Sequence, residues 1–331
     1  MPYLVRLIMR SVRILVAQLV ALTLSCFVQA QKYEKDNLPR LPGAELLVED
    51  YLPERYLLTT ADKTITLQED EVGLSGRPSI STDGSIVASV HRAPGDLSRA
   101  PRTILSTYSV QDGKWTEHWE MQCTEGSVAI SPDGSKLACN ASRTQIRILD
   151  LKAGTVSSVQ PSLQILGGDI SWSPDSFRIV FDRIAPGQRF NEIYSIYTFD
   201  IRTGKISEIG LGLSPSWSPS GEWIAYVGYI EGSDRQQESN FYRGRYYAIN
   251  DFQVSLMSQT GLHSRALWGF SSDVVPSLEP VWSPDSKELL LARSRDPDNG
   301  TFDISLVNVA SGRTRKKFKN VAPVYAWIEA K

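Results

Sequence analysis

One short pattern returns along this chain, and it restricts the fold more than any other feature. An apolar or aromatic residue is followed by a serine, a Pro-Asp-Gly-like turn and an apolar run. It occurs at Ser79–Ala88, Ala129–Ala138, Ser171–Phe181, Ser216–Tyr226 and Val281–Leu291, and Pro323-Val324-Tyr325 repeats the opening of Pro280-Val281-Trp282. With positions 80, 130, 172, 217, 282 and 325 taken as equivalent register points, the spacings are 50, 42, 45, 65 and 43. A period in the low forties is the size of one four-stranded propeller blade.

The chemistry of the motif is that of a hairpin. Proline presets φ at the first central turn position, aspartate tolerates the second, and glycine closes the turn. A second turn recurs in phase with the first, at Asp150–Gly154, Asp200–Gly204, Ser258–Gly261 and Asn308–Gly312, with Val110–Gly113 in the same slot. Each unit therefore reads as strand, Pro-Asp-Gly turn, strand, variable loop, strand, Gly turn, strand.

Trp172-Ser173-Pro174-Asp175, and its equivalents, followed by an Asp-x-x-(Thr/Ala)-Gly turn, resembles the WD-like repeat of TolB-type propellers. That repeat also occurs in the propeller domains of prolyl-oligopeptidase-like enzymes. The resemblance covers about residues 75–331, and the first copy departs from it, with Ile80 for Trp and Thr82 for Pro. It implies an all-β, six-bladed β-propeller of four-stranded antiparallel blades. The last blade is expected to be closed by both termini: an inner strand at Val321–Ile328 joined by N-terminal strands at Ala44–Val48, Tyr56–Thr60 and Thr64–Leu67. Such closure removes exposed sheet edges. A seventh blade inside the 65-residue interval is the alternative.

The first thirty residues read as a targeting segment. Arg6, Arg10 and Arg13 precede an apolar run, Ile14–Val28, and Val28-Gln29-Ala30 offers small residues for cleavage before Gln31. The run is shorter than the roughly 20 residues of a spanning helix. A cleaved signal peptide (1–30) is expected, then a linker (31–43) and the propeller (44–331), with a periplasmic or extracellular destination. An uncleaved anchor is the other reading, and only it would bring the chain to a membrane. Cleavage leaves Cys123 and Cys139, 16 residues apart, as a candidate disulfide or as two buried thiols. With 35 Lys+Arg against 37 Asp+Glu the net charge is −2, so no global field recruits nucleic acid.

Alternation of the turns puts both short turn types on one face and the longer, variable loops on the other, where function is expected. That face carries the candidate binding residues Arg92, Arg183, Arg189 and Arg293, and the insertion at Gly228–Asp251 adds Arg235, Tyr242, Arg243, Arg245 and Tyr246. Arginine and tyrosine dominate binding hot spots, and this set suits an acidic glycan, a peptide carboxylate or an acidic partner surface. A solvated loop with aromatics packed on the rim is the competing reading. Trp172, Trp217, Trp223 and Trp282 read as core, and the turn aspartates as turn formers.

His91, His118 and His263 lack ligand spacing, so no metal or cofactor is expected. No nucleophile elbow, zincin or phosphate-loop motif is present, and a hydrolase domain after the last repeat is not expected. The expected function is an exported non-catalytic scaffold for protein–protein or cell-envelope interactions, as the TolB resemblance implies. The alternative is an extracellular enzyme or binding protein acting on polysaccharide or peptide.

Overall fold

The computed structural model describes residues 38–51, 54–59, 64–67, 77–92, 103–124, 128–142, 144–159, 169–186, 193–231, 239–242, 245–269, 279–296 and 301–330. Their strands form six antiparallel sheets. Blades 1 to 5 are opened by the inner strands Ser79–Ile80, Val128–Ile130, Ile170–Trp172, Leu213–Trp217 and Val281–Trp282. Blade 3 shows the expected order, Ile170–Trp172, Arg178–Ile184, Tyr194–Asp200 and Ile206–Leu211, each pairing with the next. Blade 6 closes the ring as the termini predicted: Val324–Glu329 is innermost, then Ala44–Tyr51, Glu54–Thr59 and Thr64–Leu67.

Among the described residues the long fourth interval holds no seventh blade. Ser239–Tyr242 folds back on the 14-residue strand Arg245–Ser258, with Tyr242 opposite Arg245 and Phe241 opposite Tyr246, so blade 4 has five strands. The N-terminal targeting segment lies outside the described residues. Among the described residues no helix is long and apolar enough to cross a membrane.

The core lies between the blades. Val180 and Ile196 of blade 3 meet Trp217 and Ile224 of blade 4, and Ala225 and Leu256 of blade 4 meet Trp282 and Leu289 of blade 5. Blade 5 packs Leu290 and Ile304 on Leu46 and Val48 of blade 6, whose Leu47 and Leu58 cover Val87 of blade 1. Strands covered on both faces need apolar residues at consecutive positions, which is why the blade strands read as continuous runs. Hydrogen bonds reinforce the same interfaces: the Trp172 indole donates to Ala129 O and that of Trp282 to Ser216 O, both at 3.0 Å. Cys123, beyond the last strand of blade 1, is disulfide-bonded to Cys139 in the second strand of blade 2.

The Pro-Asp-Gly turns are self-contained. Ser131 Oγ–H donates to Asp133 Oδ1 at 2.6 Å, Ser135 N–H donates to the same oxygen at 3.0 Å, and Lys136 N–H returns to Ser131 Oγ at 2.8 Å. Ser81/Asp83, Ser173/Asp175 and Ser283/Asp285 repeat the arrangement. Gly134 closes its turn at φ +69°, a conformation open to glycine. Blades 3 and 5 place Ser176 and Ser286 there at φ 58° and 61°. Both hydroxyls accept from the turn of the preceding blade, Ser176 from Asp133 N–H at 3.4 Å and Ser286 from Ser220 N–H at 2.9 Å. The hydrogen bond offsets the strain of a left-handed side-chain residue.

Candidate functional site

Inner strands run from the variable-loop face toward the Pro-Asp-Gly turns, so the residue three places before each register point stands at the rim of the channel. Among the described residues these are Arg77, Asp169, Ser214, Glu279 and Ala322. Proline follows four of them, as Pro78, Pro215, Pro280 and Pro323, and sets the chain into the strand. The channel below has a volume of about 510 Å³, and Trp172, Trp217, Trp282 and Tyr325 are among its walls.

Among the described residues, three carboxyls and one guanidinium converge at this rim. Arg77 reaches from blade 1 to blade 3, where its Nη1 lies 2.7 Å from Asp169 Oδ2. Burial disfavours the Arg77 cation, but Asp169, Glu279 and Tyr325 outweigh it and hold the guanidinium firmly charged. Asp182, on the second strand of blade 3, is 4% exposed. Its Oδ2 accepts the Ser214 N–H at 2.8 Å, whereas Oδ1 makes no hydrogen bond, nor does Glu279 Oε1.

Burial and the charge of Asp169 push the Asp182 carboxyl up to about 7, against Ser214 N–H, Arg77 and Asp169 N–H, which favour its ionised form. Burial, Asp169 and Asp182 raise Glu279 well above the usual carboxylate range, with Arg77 in opposition. Tyr229, whose oxygen accepts the Tyr194 N–H at 3.0 Å, lies beside Asp182 and is itself raised, first by burial.

The backbone is bent to serve this cluster. Ser214 has φ 50° although a proline follows, a position where extended conformations are preferred, and the pairing of its strand slips between Leu213 and Ser216. The irregularity aims the Ser214 N–H at Asp182. Such a backbone position stores about 1–3 kcal/mol of strain.

Of the arginines expected to line this face, Arg183 turns away from it. Arg183 is a correction: it is 1% exposed and lies between blades, its guanidinium 4.7 Å from the Phe181 ring and 5.1 Å from that of Tyr197. Burial lowers it to about 10, and its Nε and Nη2 make no hydrogen bonds. Strand alternation is the reason: adjacent side chains point to opposite faces, so Asp182 turns one way and Arg183 the other. Arg293 is 3.9 Å from Asp303. Arg92 sits opposite Thr103, Arg245 opposite Tyr242 and Tyr246 opposite Phe241 in their ladders. Arg189, Arg235 and Arg243 lie outside the described residues.

Residue reading passed over Arg77, Asp169, Asp182 and Glu279. Two signals pointed to them: the shared offset from the register points, and a charge at position 182 where the equivalents are Val90, Asn140, Val227 and Ala292. Among the described residues no group of three or more His, Cys, Asp or Glu is arranged to hold a metal ion. Thr107, His118 and Glu120 align as hydroxyl, imidazole and carboxylate, at 2.9 and 3.7 Å. Thr107 and His118 are buried in blade 1 and do not line the channel, so this alignment serves packing.

No family model matches the chain. Among solved structures it is similar to TolB from Acinetobacter baumannii, with 18% identity, a TM-score of 0.61 and coverage of 86% of this chain. It spans 65% of that protein, less than two thirds of its length. A chain of a nidogen/laminin complex is matched over 87% of this chain and 99% of its own, at 10% identity and a TM-score of 0.58. Kuenenia stuttgartiensis hydrazine synthase matches at 15% identity and 0.53, over 82% of this chain and 75% of that one. Likeness at such identities concerns the fold, which is a six-bladed β-propeller similar to that of TolB.

Proposed function

We propose that the chain is an exported propeller scaffold that binds a protein or cell-envelope component on its variable-loop face, centred on the channel mouth. The observation that carries this is the rim cluster. Two buried carboxyls with unsatisfied oxygens and a strained serine cost stability, and proteins keep such features where they are used. The basic and apolar N-terminal segment supports export, and the disulfide between Cys123 and Cys139 is consistent with an oxidising compartment. TolB shares the fold, and the nidogen likeness comes from a complex with laminin, so propellers of this shape do serve recognition.

The test is capture from envelope extract by the full chain, run beside a variant lacking residues 233–246 and an Asp182→Asn variant. One partner bound by the intact chain and lost or weakened with either variant supports the reading. Equal capture by all three moves the interface off this face, and no capture removes the scaffold role.

A second reading has one observation in its favour. A carboxyl held near 7 beside an ion-paired one is the arrangement of an acid/base pair, which suits an enzyme acting on polysaccharide or peptide. Turnover of a glycan or peptide panel that disappears in Asp182→Asn would support it.

A further inference from the structure

We propose that Trp119, with Glu117 and Glu120, is a docking point for an arginine or lysine side chain of a protein partner, set at the outer edge of the variable-loop face. The place is separate from the channel mouth, and the inference does not rest on the role proposed for that mouth. Val110–Gly113 turns on the opposite face. Lys114–His118, the outermost strand of blade 1, therefore runs toward the variable-loop face and delivers Trp119 there. Trp119 is 53% exposed, whereas Trp172, Trp217 and Trp282 are each 5% exposed.

The connector that carries this ring is pinned to blade 2. Cys123 is disulfide-bonded to Cys139, and Thr124 N–H and Oγ1–H both donate to Asn140 O, at 2.7 and 2.9 Å. Arg147 Nη1 donates to Met121 O at 2.9 Å and to Glu120 O and Gln122 Oε1 at 3.3 Å. Met121 and Cys123 are buried. An exposed tryptophan on a fixed backbone loses little freedom on binding, which is what an anchor residue requires.

The surrounding charge selects the ligand. The Trp119 indole N–H donates to Glu117 Oε2 at 2.7 Å. That bond engages the one polar group of the ring, and a carboxylate on the N–H makes the π face more negative and so a better surface for a cation. Glu120, its side chain 48% exposed, lies 3.7 Å from His118 Nδ1. Burial holds that imidazole below its usual value, so it brings no charge at neutral pH. Among the described residues neither glutamate is ion-paired with a lysine or arginine. A guanidinium or ammonium suits all three groups: the ring takes the aliphatic stem and the cation, and the carboxylates take its N–H groups. A sugar could stack on the same ring, but its binding draws nothing from two negative charges.

The full chain is titrated at neutral pH and low salt with N-acetyl-Gly-Arg-Gly-amide. The Trp119 indole N–H resonance, identified by its loss in Trp119→Phe, is followed. The arginine peptide shifts it and the Gly-Gln-Gly analogue does not. Affinity falls about threefold in Glu120→Gln, which leaves the indole bond in place, and further in Trp119→Ala, read by calorimetry. High salt weakens the arginine peptide as well. Both substitutions are at exposed positions, so the variants keep the fold. Equal shifts with the two peptides, or unchanged affinity in the variants, would overturn the proposal. A shift produced by N-acetylglucosamine and not by the arginine peptide assigns the ring to a glycan and overturns it too. Capture from envelope extract separates this site from the channel mouth. A partner retained by Trp119→Ala and lost by Asp182→Asn removes this docking point and leaves the mouth, and the reverse pattern removes the mouth.

Discussion

The two faces of the propeller use the same residue type to opposite ends. On the turn face, burial would raise the Asp133 carboxyl, but Ser131, Ser135 and Lys136 hold it down to about 2. Asp175 and Asp285 are lowered in the same way by their own turns. At the channel mouth, Asp182 rises to about 7 because burial and the charge of Asp169 outweigh its few donors. A turn aspartate is satisfied within six residues of chain, from Ser131 to Lys136, so each of the four blades that carry one satisfies it locally. The rim carboxyls depend on distant segments and remain under-satisfied. The contrast separates residues that stabilise the scaffold from residues held at a cost.

Removing Arg77, the cation that the described residues place at the rim, should break the contrast most. Arg77→Ala leaves Asp169, Asp182 and Glu279 without their counter-charge. We expect a loss of about 2–3 kcal/mol in urea unfolding at pH 8, at the low end for a buried pair because Arg77 is 29% exposed. The loss should shrink at pH 5, where protonated carboxyls need no partner. Asp182→Asn should act in the opposite direction, raising stability by about 1–2 kcal/mol at pH 8. Here the folded carboxyl at about 7 lies above its unfolded value, so the native state binds the extra proton and its stability falls as pH rises between about 4 and 7. The variant should flatten that slope and match the native chain near pH 4; a loss at pH 8 would refute the cost assigned to this carboxyl.

On the turn face the sign reverses again. Asp133→Ala should cost about 1 kcal/mol at pH 7 through its lost hydrogen bonds. Because the folded carboxyl is depressed to about 2, its contribution is present above the unfolded value and disappears as pH falls from about 4 to about 2. Ser286→Gly should be the smallest change, within about 0.5 kcal/mol, since relief at φ 61° is set against loss of the Ser220 N–H bond at 2.9 Å. Thermal melts resolve whether strain or hydrogen bond is the larger.

Much of the fold was legible because its signals are local. Proline, aspartate and glycine act over four residues, and Trp172, Trp217 and Trp282 repeat at blade spacing, so strand order followed directly. The insertion in blade 4 was less legible. An Arg/Tyr-rich stretch with no periodic apolar residues reads as a loop, yet Ser239–Tyr242 pairs with the following strand by backbone hydrogen bonds that composition does not report. Arg183 was misread for a related reason. Charge on a predicted face says nothing of which side chains the pleat turns inward, and Arg183 went inward.

By itself the sequence determined the blade repeat, the turn chemistry and the joining of the two ends, because each is written in short-range patterns whose spacing survives without the fold. The charge cluster was decided by tertiary structure alone. Arg77 and Asp169 lie 92 residues apart, and Glu279 is on a third blade. No local rule links them. They meet because six inner strands start on one rim, and ring closure turns a shared offset in the repeat into a shared place.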